Sequence, residues 1–231
     1  MMEVFGFDLG PIIPFILIGF AAQMVDGALG MAFGVITNTL MVGLLGVPPA
    51  LASQRVHLVE CFTTATSGIS HLLHGNIDKG LFFRLLVPGV IGGLLGTYLI
   101  TSIDGDTIKP FVLIYLAGIG VWLLIRGLLY PPRVRQARHV APLGLVGGFL
   151  DAAGGGGWGP VVTSNLLVQG AEPRKVVGTV NSVEFFLTLT ISASFIYHLG
   201  ISHIAGATLG LIIGGIAAAP FGDMAAKHFS P

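Results

Sequence analysis

A chain of 231 residues with 10% charged side chains and a mean hydropathy of +0.88 cannot clothe a soluble globule, since soluble domains carry about 25% charge. Its 11 Lys and Arg balance its 11 Asp and Glu, so no basic field is available to attract nucleic acid. The 35 glycines, about twice the ordinary ~7%, fall inside apolar segments, which argues against a disordered chain.

The amino-terminal stretch carries Glu3 and Asp8 and no Lys or Arg before Arg55. That is the wrong flank for a cleaved signal peptide, so the first apolar run, Pro11–Val25, reads as retained membrane structure. Further runs follow at Phe33–Val47, Ala50–Leu73, Leu81–Ile100, Phe111–Leu129, Ala141–Leu150, Val161–Val168, Val176–Leu199 and Ile204–Ala219. Crossing a bilayer takes about 20 helical residues. The runs beginning at Ala50, Leu81, Phe111, Val176 and Ile204 meet that length, and those flanking Asp26–Gly34 and Asp151–Gly159 are short. Helix, break, helix is expected at both places. Unwound backbone at membrane depth must be buried in protein or line a wet cavity. The single Cys61 sits in an apolar run and reads as a packed thiol.

The chain repeats itself. Asp26, Gly30, Phe33 and Gly34 recur 125 residues later as Asp151, Gly155, Trp158 and Gly159. Pro49, His57, Glu60 and His74 recur 124 residues later as Pro173, Asn181, Glu184 and His198. The expected division is a first membrane repeat over 1–130, a cytoplasmic linker over 131–139 and a second repeat over 140–231. Phe111–Leu129 has no counterpart in the second half, so the last helix of that repeat is expected to be missing by truncation. Placing Arg126, Arg133, Arg135 and Arg138 in the cytoplasm puts Lys79, Arg84, Arg174, Lys175 and Lys227 there too, with Arg55 and Lys109 outside. The two repeats are then inverted, and this parity is the same whether each broken hairpin crosses twice or re-enters.

The fold class expected is therefore an all-α, multi-pass protein of the cytoplasmic (inner) membrane. Two inverted repeats would each carry a glycine-broken hairpin followed by long spanning helices. Paired, glycine-interrupted segments in inverted repeats mark the site of a secondary transporter. The helix that resumes after a break presents free N–H groups and a positive dipole end, which suits an anion.

The candidate site residues lie at the breaks and on the long segment after each. His57 and Glu60, like Asn181 and Glu184, are three apart and share a helix face. Arg55 and His57 are candidate anion contacts, with Gln54, Thr179 and Asn181 from the same stretches. Glu60 and Glu184 either carry a proton or brace the neighbouring hairpin, and both readings stay open. Asp26 and Asp151 precede the breaks and are expected to cap the helices that follow. Gly30, Gly34, Gly155, Gly156 and Gly157 let backbone N–H groups approach a ligand without Cβ obstruction. Trp158 either walls the pocket or packs. Gly89, Gly92, Gly93, Gly96, Gly206, Gly210 and Gly214 read as helix-packing faces. His71, His74 and His198 lack the companions of a metal site, so neither metal nor other cofactor is expected. An enzyme is not expected either. Ala65-Thr66-Ser67-Gly68 lacks the first glycine of a GxSG turn, Ser67 and His71 share one helix, and Asp26 and Asp151 lack a GxGD context.

The Gly154-Gly155-Gly156-Gly157-Trp158-Gly159-Pro160 run resembles the second-half signature of the sulfite exporter TauE/SafE family. So do Gly170-Ala171-Glu172-Pro173-Arg174 and Gly178-Thr179-Val180-Asn181, and the Gly46-Val47-Pro48-Pro49 turn fits as well. The resemblance covers nearly the whole chain and implies a permease for sulfur oxyanions or organosulfonates, driven by an ion gradient. The first break, Gly30-Met31-Ala32-Phe33-Gly34, is poorer in glycine than the family's usual run, and Met31 and Phe33 would reshape that side. A secondary transporter of a small sulfur-containing anion is the leading expectation, with a passive anion channel as the alternative. The expected partners are that anion, membrane lipid and a second copy in a homo-oligomer, with no nucleic acid.

Overall fold

The computed structural model describes residues 3–4, 7–8, 11–29, 31–129, 139–202 and 204–229. A two-residue antiparallel pairing, Glu3–Val4 with Phe7–Asp8, precedes a succession of helices. These are α1 (Ile13–Leu29), α2 (Phe33–Gly43), α3 (Pro49–Leu73), α4 (Lys79–Ser102), α5 (Gly105–Leu129) and α6 (Val140–Gly154). A π-helical turn over Gly159–Thr163 runs into α7 (Ser164–Val168), followed by α8 (Pro173–Leu199) and α9 (Ala205–Phe229).

The starts and stops follow from residue chemistry. Pro49 and Pro173 open α3 and α8, where a missing N–H is no loss and a fixed φ suits the first turn. Asp78 caps α4 by accepting from the Leu81 N–H at 3.0 Å. Gly200, at φ +75, ends α8.

Among the described residues, three segments are long and apolar enough to cross a membrane: α4, residues 105–125 of α5, and α8. Helix α3 has 25 residues, about 37 Å at 1.5 Å each, but Gln54, Arg55, His57 and Glu60 dilute its apolar character. The helices after the breaks are shorter. Phe33–Gly43 has 11 residues, about 16 Å, too little to cross a ~30 Å hydrocarbon core alone. Large apolar side chains such as Leu73, Phe111, Tyr197 and Ile216 are exposed, as lipid contact requires. Apart from the short pairing near the amino terminus, the described elements are all helices, and the chain is a polytopic membrane protein.

At the centre α3 and α8 lie antiparallel. Gln54 Nε2 donates to Gly200 O at 2.9 Å, Asn181 Nδ2 donates to Ser67 Oγ at 2.9 Å, and Gly178 abuts the Asn76 backbone. Helix α4 packs along α6, and α1 packs along α9. Under the sequence repeat α1 corresponds to α6 and α4 to α9, so each flanking pair is the counterpart of the other.

Both flanking pairs depend on glycine. A Cβ on Gly92 or Gly96 would run into the carbonyls of Leu145 or Phe149, and one on Gly148 into that of Gly89. In the other pair, Gly19 faces Leu211 O and Gly214 faces Ile16 O. Gly89, Gly93 and Gly210 are likewise pressed by neighbouring side chains, whereas Gly206 has ordinary contacts. Without a hydrophobic force between helices in lipid, such close backbone approach supplies the van der Waals attraction that holds them together. Residues 131–138 of the expected linker lie outside the described residues, as do the side chains of Arg126 and Lys227 that entered the orientation count.

Gly148→Ala is expected to lower stability by about 1–3 kcal/mol, the usual penalty for overpacking. Gly120→Ala, which points into open space, is expected to leave it unchanged. Thermal unfolding of both variants in detergent checks this, and equal melting would contradict the close-packing account.

Candidate functional site

The site begins with two interrupted helices and the carboxylates that bridge the interruptions. Asp26, in the last turns of α1, accepts from the N–H of Phe33, the first residue of α2, at 3.0 Å. Asp151, in α6, accepts through Oδ1 from Gly157 N at 2.8 Å and Trp158 N at 3.0 Å. In both halves the carboxylate reaches seven residues ahead. A helix start has orphan N–H groups that lipid cannot satisfy, and each Asp satisfies some of them.

The two breaks meet each other. A Cβ on Gly34 would lie 2.9 Å from Gly156 Cα and 2.8 Å from Glu60 Oε1. Gly156 has φ +136, a conformation that L side chains rarely adopt, and Gly155 has φ +71. Asn38 of α2 donates to Gly154 O, and Tyr115 of α5 donates to Gly156 O at 3.2 Å. In the first break a left-handed residue, Ala32 at φ +95, carries a side chain, so this half holds its turn under strain.

His57 joins α3 to the second hairpin. Its Nδ1 is 2.7 Å from Ser53 O, and because a carbonyl only accepts, Nδ1 carries a proton. Its Nε2 lies 3.2 Å from Asp151 Oδ2, so a further proton sits between imidazole and carboxylate. Ser53 Oγ donates to Ala152 O at 2.7 Å and strengthens the same junction. His57 is completely buried.

Beside this junction is a cavity of about 130 Å³. That is room for roughly four waters at ~30 Å³ each, and well below the ~300 Å³ at which drug-sized pockets begin. Backbone of Gly34, Gly156 and Gly157 forms part of its wall, with Met31, Phe33 and Pro160 supplying apolar surface. Thr63, Thr64, Ser67 and Asn181 supply hydroxyls and an amide, and Asp26, Glu60, Asp151 and Glu184 supply carboxylates. No Lys, Arg or His is among the described lining residues. Glu60 Oε2 is buried without a hydrogen-bond partner. Among the described residues no three His, Cys, Asp or Glu side chains converge on a metal position.

Eight of the residues singled out from sequence meet at this cavity: Asp26, Gly34, Glu60, Asp151, Gly156, Gly157, Asn181 and Glu184. Others stand apart from it. His57 is turned toward Asp151, and the Arg55 guanidinium lies 5.4 Å from the Phe15 ring centroid, toward α1. Gln54 is engaged with Gly200, while Thr179 Oγ1 accepts from Asp78 N at 2.8 Å. Gly155 lies against Asn38. Trp158 is buried over Gly89 and Gly147, and its Nε1 donates to Val180 O at 3.2 Å, so it anchors the hairpin. Gly30 lies outside the described residues.

Asn38, Thr63, Thr64 and Tyr115 were not legible as site residues. The threonines had a usable signal, lying three and four positions beyond Glu60 on one face. Asn38 was a polar residue in an apolar run, and Tyr115 gave no signal at all.

The sulfite exporter TauE/SafE family model matches residues 15–231. A probable membrane transporter protein, YtnM, of Bacillus subtilis (strain 168) is 42% identical over 229 residues, covering 95% of this chain and 76% of the relative. A probable membrane transporter protein of Haemophilus influenzae is 24% identical over 208 residues, covering 85% of this chain and 81% of the relative. No solved structure matches the chain.

His57→Ala is expected to destabilise the protein by about 3–5 kcal/mol, because it strands a buried carboxylate. Asn181→Ala, at the matching position of α8, is expected to cost less than half as much. Thermal melts of the two variants check the difference, and an equal loss would contradict the His57–Asp151 junction as a structural pin.

Proposed function

This chain belongs to the sulfite exporter TauE/SafE family, a family of membrane transporters, and we propose that it is a secondary transporter moving a small sulfur-containing anion together with protons. The observation that carries the coupling is the composition of the cavity: carboxylates and backbone, without a basic side chain among the described lining residues. Two unit charges about 4 Å apart at an effective dielectric of ~20 interact by roughly 4 kcal/mol. An anion facing even one ionised glutamate at that distance therefore loses about a thousandfold in affinity. It can bind well only when Glu60 and Glu184 hold protons. Anion and proton occupancy then favour each other, and carrying both across together is symport.

The size of the cavity supports a small substrate such as sulfite or a short organosulfonate, and the family description supports sulfur chemistry. The junction at His57 supports the same division of labour. It balances the charge of Asp151 internally, while Asp26 is held by the α2 amide, leaving the two glutamates as the groups that exchange protons. A passive anion channel would gain from basic groups along its path, and this acidic lining gives that reading no support.

In the arrangement we favour, residues 1–130 and 140–231 are inverted halves joined through a cytoplasmic segment, and the protein sits in the cytoplasmic membrane. The exchanged packing of α1–α9 and α4–α6, and the antiparallel α3–α8 pair, support it.

Glu60→Gln and Glu184→Gln are each expected to cut proton-driven uptake of sulfite or a sulfonate into proteoliposomes at least tenfold and to flatten its dependence on external pH. Wild-type flux with a wild-type pH response in both variants would remove the proton-carrier role. Failure of the unaltered protein to move any small anion saturably would remove the transporter reading.

A further inference from the structure

The two halves of the central helix pair are not equally polar beyond the cavity. From Glu60 the same face of α3 continues through Thr63, Ser67 and His71, at steps of three and four residues. From Glu184 the matching face of α8 continues through Leu187, Ile191 and Phe195. The repeat offset of 124 residues aligns these three positions one for one. At each of them a hydroxyl or imidazole in the first half corresponds to a hydrocarbon side chain in the second.

The surroundings differ in the same sense. Thr63 and Ser67 line the central cavity and also form, with Thr66, Ser70 and His71, the polar strip of an adjoining cleft of about 710 Å³ whose other walls are largely apolar, among them Phe62, Leu211 and Ile216. Thr63 and Ser70 are exposed, and Ser67 and His71 are partly so. Leu187, Ile191 and Phe195 are instead fully buried. Leu187 and Ile191 press on Gly93 of α4, where a Cβ would lie 2.9 Å from each, and the Phe195 ring stands 6.0 Å from that of His57. A second cleft on the other flank of α3, about 770 Å³, shares only Thr64 with the cavity and is walled by Ile69, Leu72, Phe82, Phe83 and Phe186. Most of that wall suits lipid tails, with Thr64, Ser182 and Lys79 as its polar members.

We propose that Thr63, Ser67, Ser70 and His71 form a hydrophilic vestibule joining the cavity to water at the end of the bundle where α3 finishes, and that Leu187, Ile191 and Phe195 form a hydrophobic gate toward the opposite end. The inference rests on the transporter reading of the cavity and assigns its two routes of access. Because α3 and α8 are antiparallel, their carboxy-terminal ends face opposite sides, so the polar and apolar continuations lead to opposite aqueous phases. A polar route stays wetted, whereas a packed apolar one excludes water until the helices part. The described arrangement is the state open through α3 and closed through α8. Alternating access then requires movement on the α8 side, where Leu187 and Ile191 must leave Gly93.

Single cysteines at Ser67, Ser70 and Ile191, each in a Cys61→Ala background, test the assignment with a charged, membrane-impermeant methanethiosulfonate applied to either face of vesicles. Ser67→Cys and Ser70→Cys are expected to react from one face only, at least tenfold faster than Ile191→Cys from either face. Reaction of Ile191→Cys as fast as Ser67→Cys would overturn the gate. Unreactive Ser67→Cys and Ser70→Cys from both faces would overturn the vestibule and indicate a lipid-filled cleft. Labelling needs no substrate, so the expected pattern with no anion flux would remove the transporter reading alone. The opposite pattern with intact flux would remove the access assignment alone.

Discussion

Interrupted helices in a membrane must find partners for their own N–H and C=O groups, and the rest of this structure follows from how that need is met. Asp26 and Asp151 bridge the two interruptions by accepting from the helix that resumes beyond each. This places carboxylates at the point where the two halves touch. Burying a carboxylate requires hydrogen bonds or a compensating charge. The amides of Gly157 and Trp158 and the His57 junction meet that requirement for Asp151, and Phe33 N serves Asp26. Both aspartates are thus tied into the architecture, which is why the proposed proton exchange falls to Glu60 and Glu184.

Glycine makes the geometry attainable in two different ways. At Gly156 the backbone takes a conformation closed to side chains, and at Gly34 the opposing break comes too near for a Cβ. Along α4–α6 and α1–α9, glycine instead allows carbonyls of one helix to rest on the next. The first use shapes the proposed binding site and the second holds the frame around it. The cavity between the glycine-seated breaks is about 130 Å³, so on the proposed reading size would limit the substrate before charge does.

Much of the fold could be read from sequence because lipid leaves few alternatives. The breaks at Asp26–Gly34 and Asp151–Gly159 announced themselves as short apolar runs joined by glycine, and the helical, multi-pass class followed from composition together with the number and length of the apolar runs. The site was legible in type more than in contact. Helical periodicity puts His57 and Glu60 on one face, yet His57 meets Asp151 while Glu60 borders the cavity, because neighbours and not spacing decide where a side chain ends. The amides after each break looked free for an anion, but the same aspartates read as caps already occupy those of Phe33, Gly157 and Trp158. Gln54 and Thr179 are engaged in contacts between loops and the ends of the central pair, which no one-dimensional pattern encodes. Tyr115 reaches Gly156 from a helix that the repeat does not duplicate, so symmetry could not point to it.

The acidic, cation-poor cavity makes charge compensation by protons the centre of the functional account. The most direct measurement is proton movement during transport of a sulfonate whose own charge does not change with pH. Proteoliposomes of the unaltered protein, loaded with a pH-sensitive dye and given a short organosulfonate outside, are predicted to acidify inside as the anion enters, with at least one proton per anion. Saturable sulfonate entry without any change in internal pH would contradict the account.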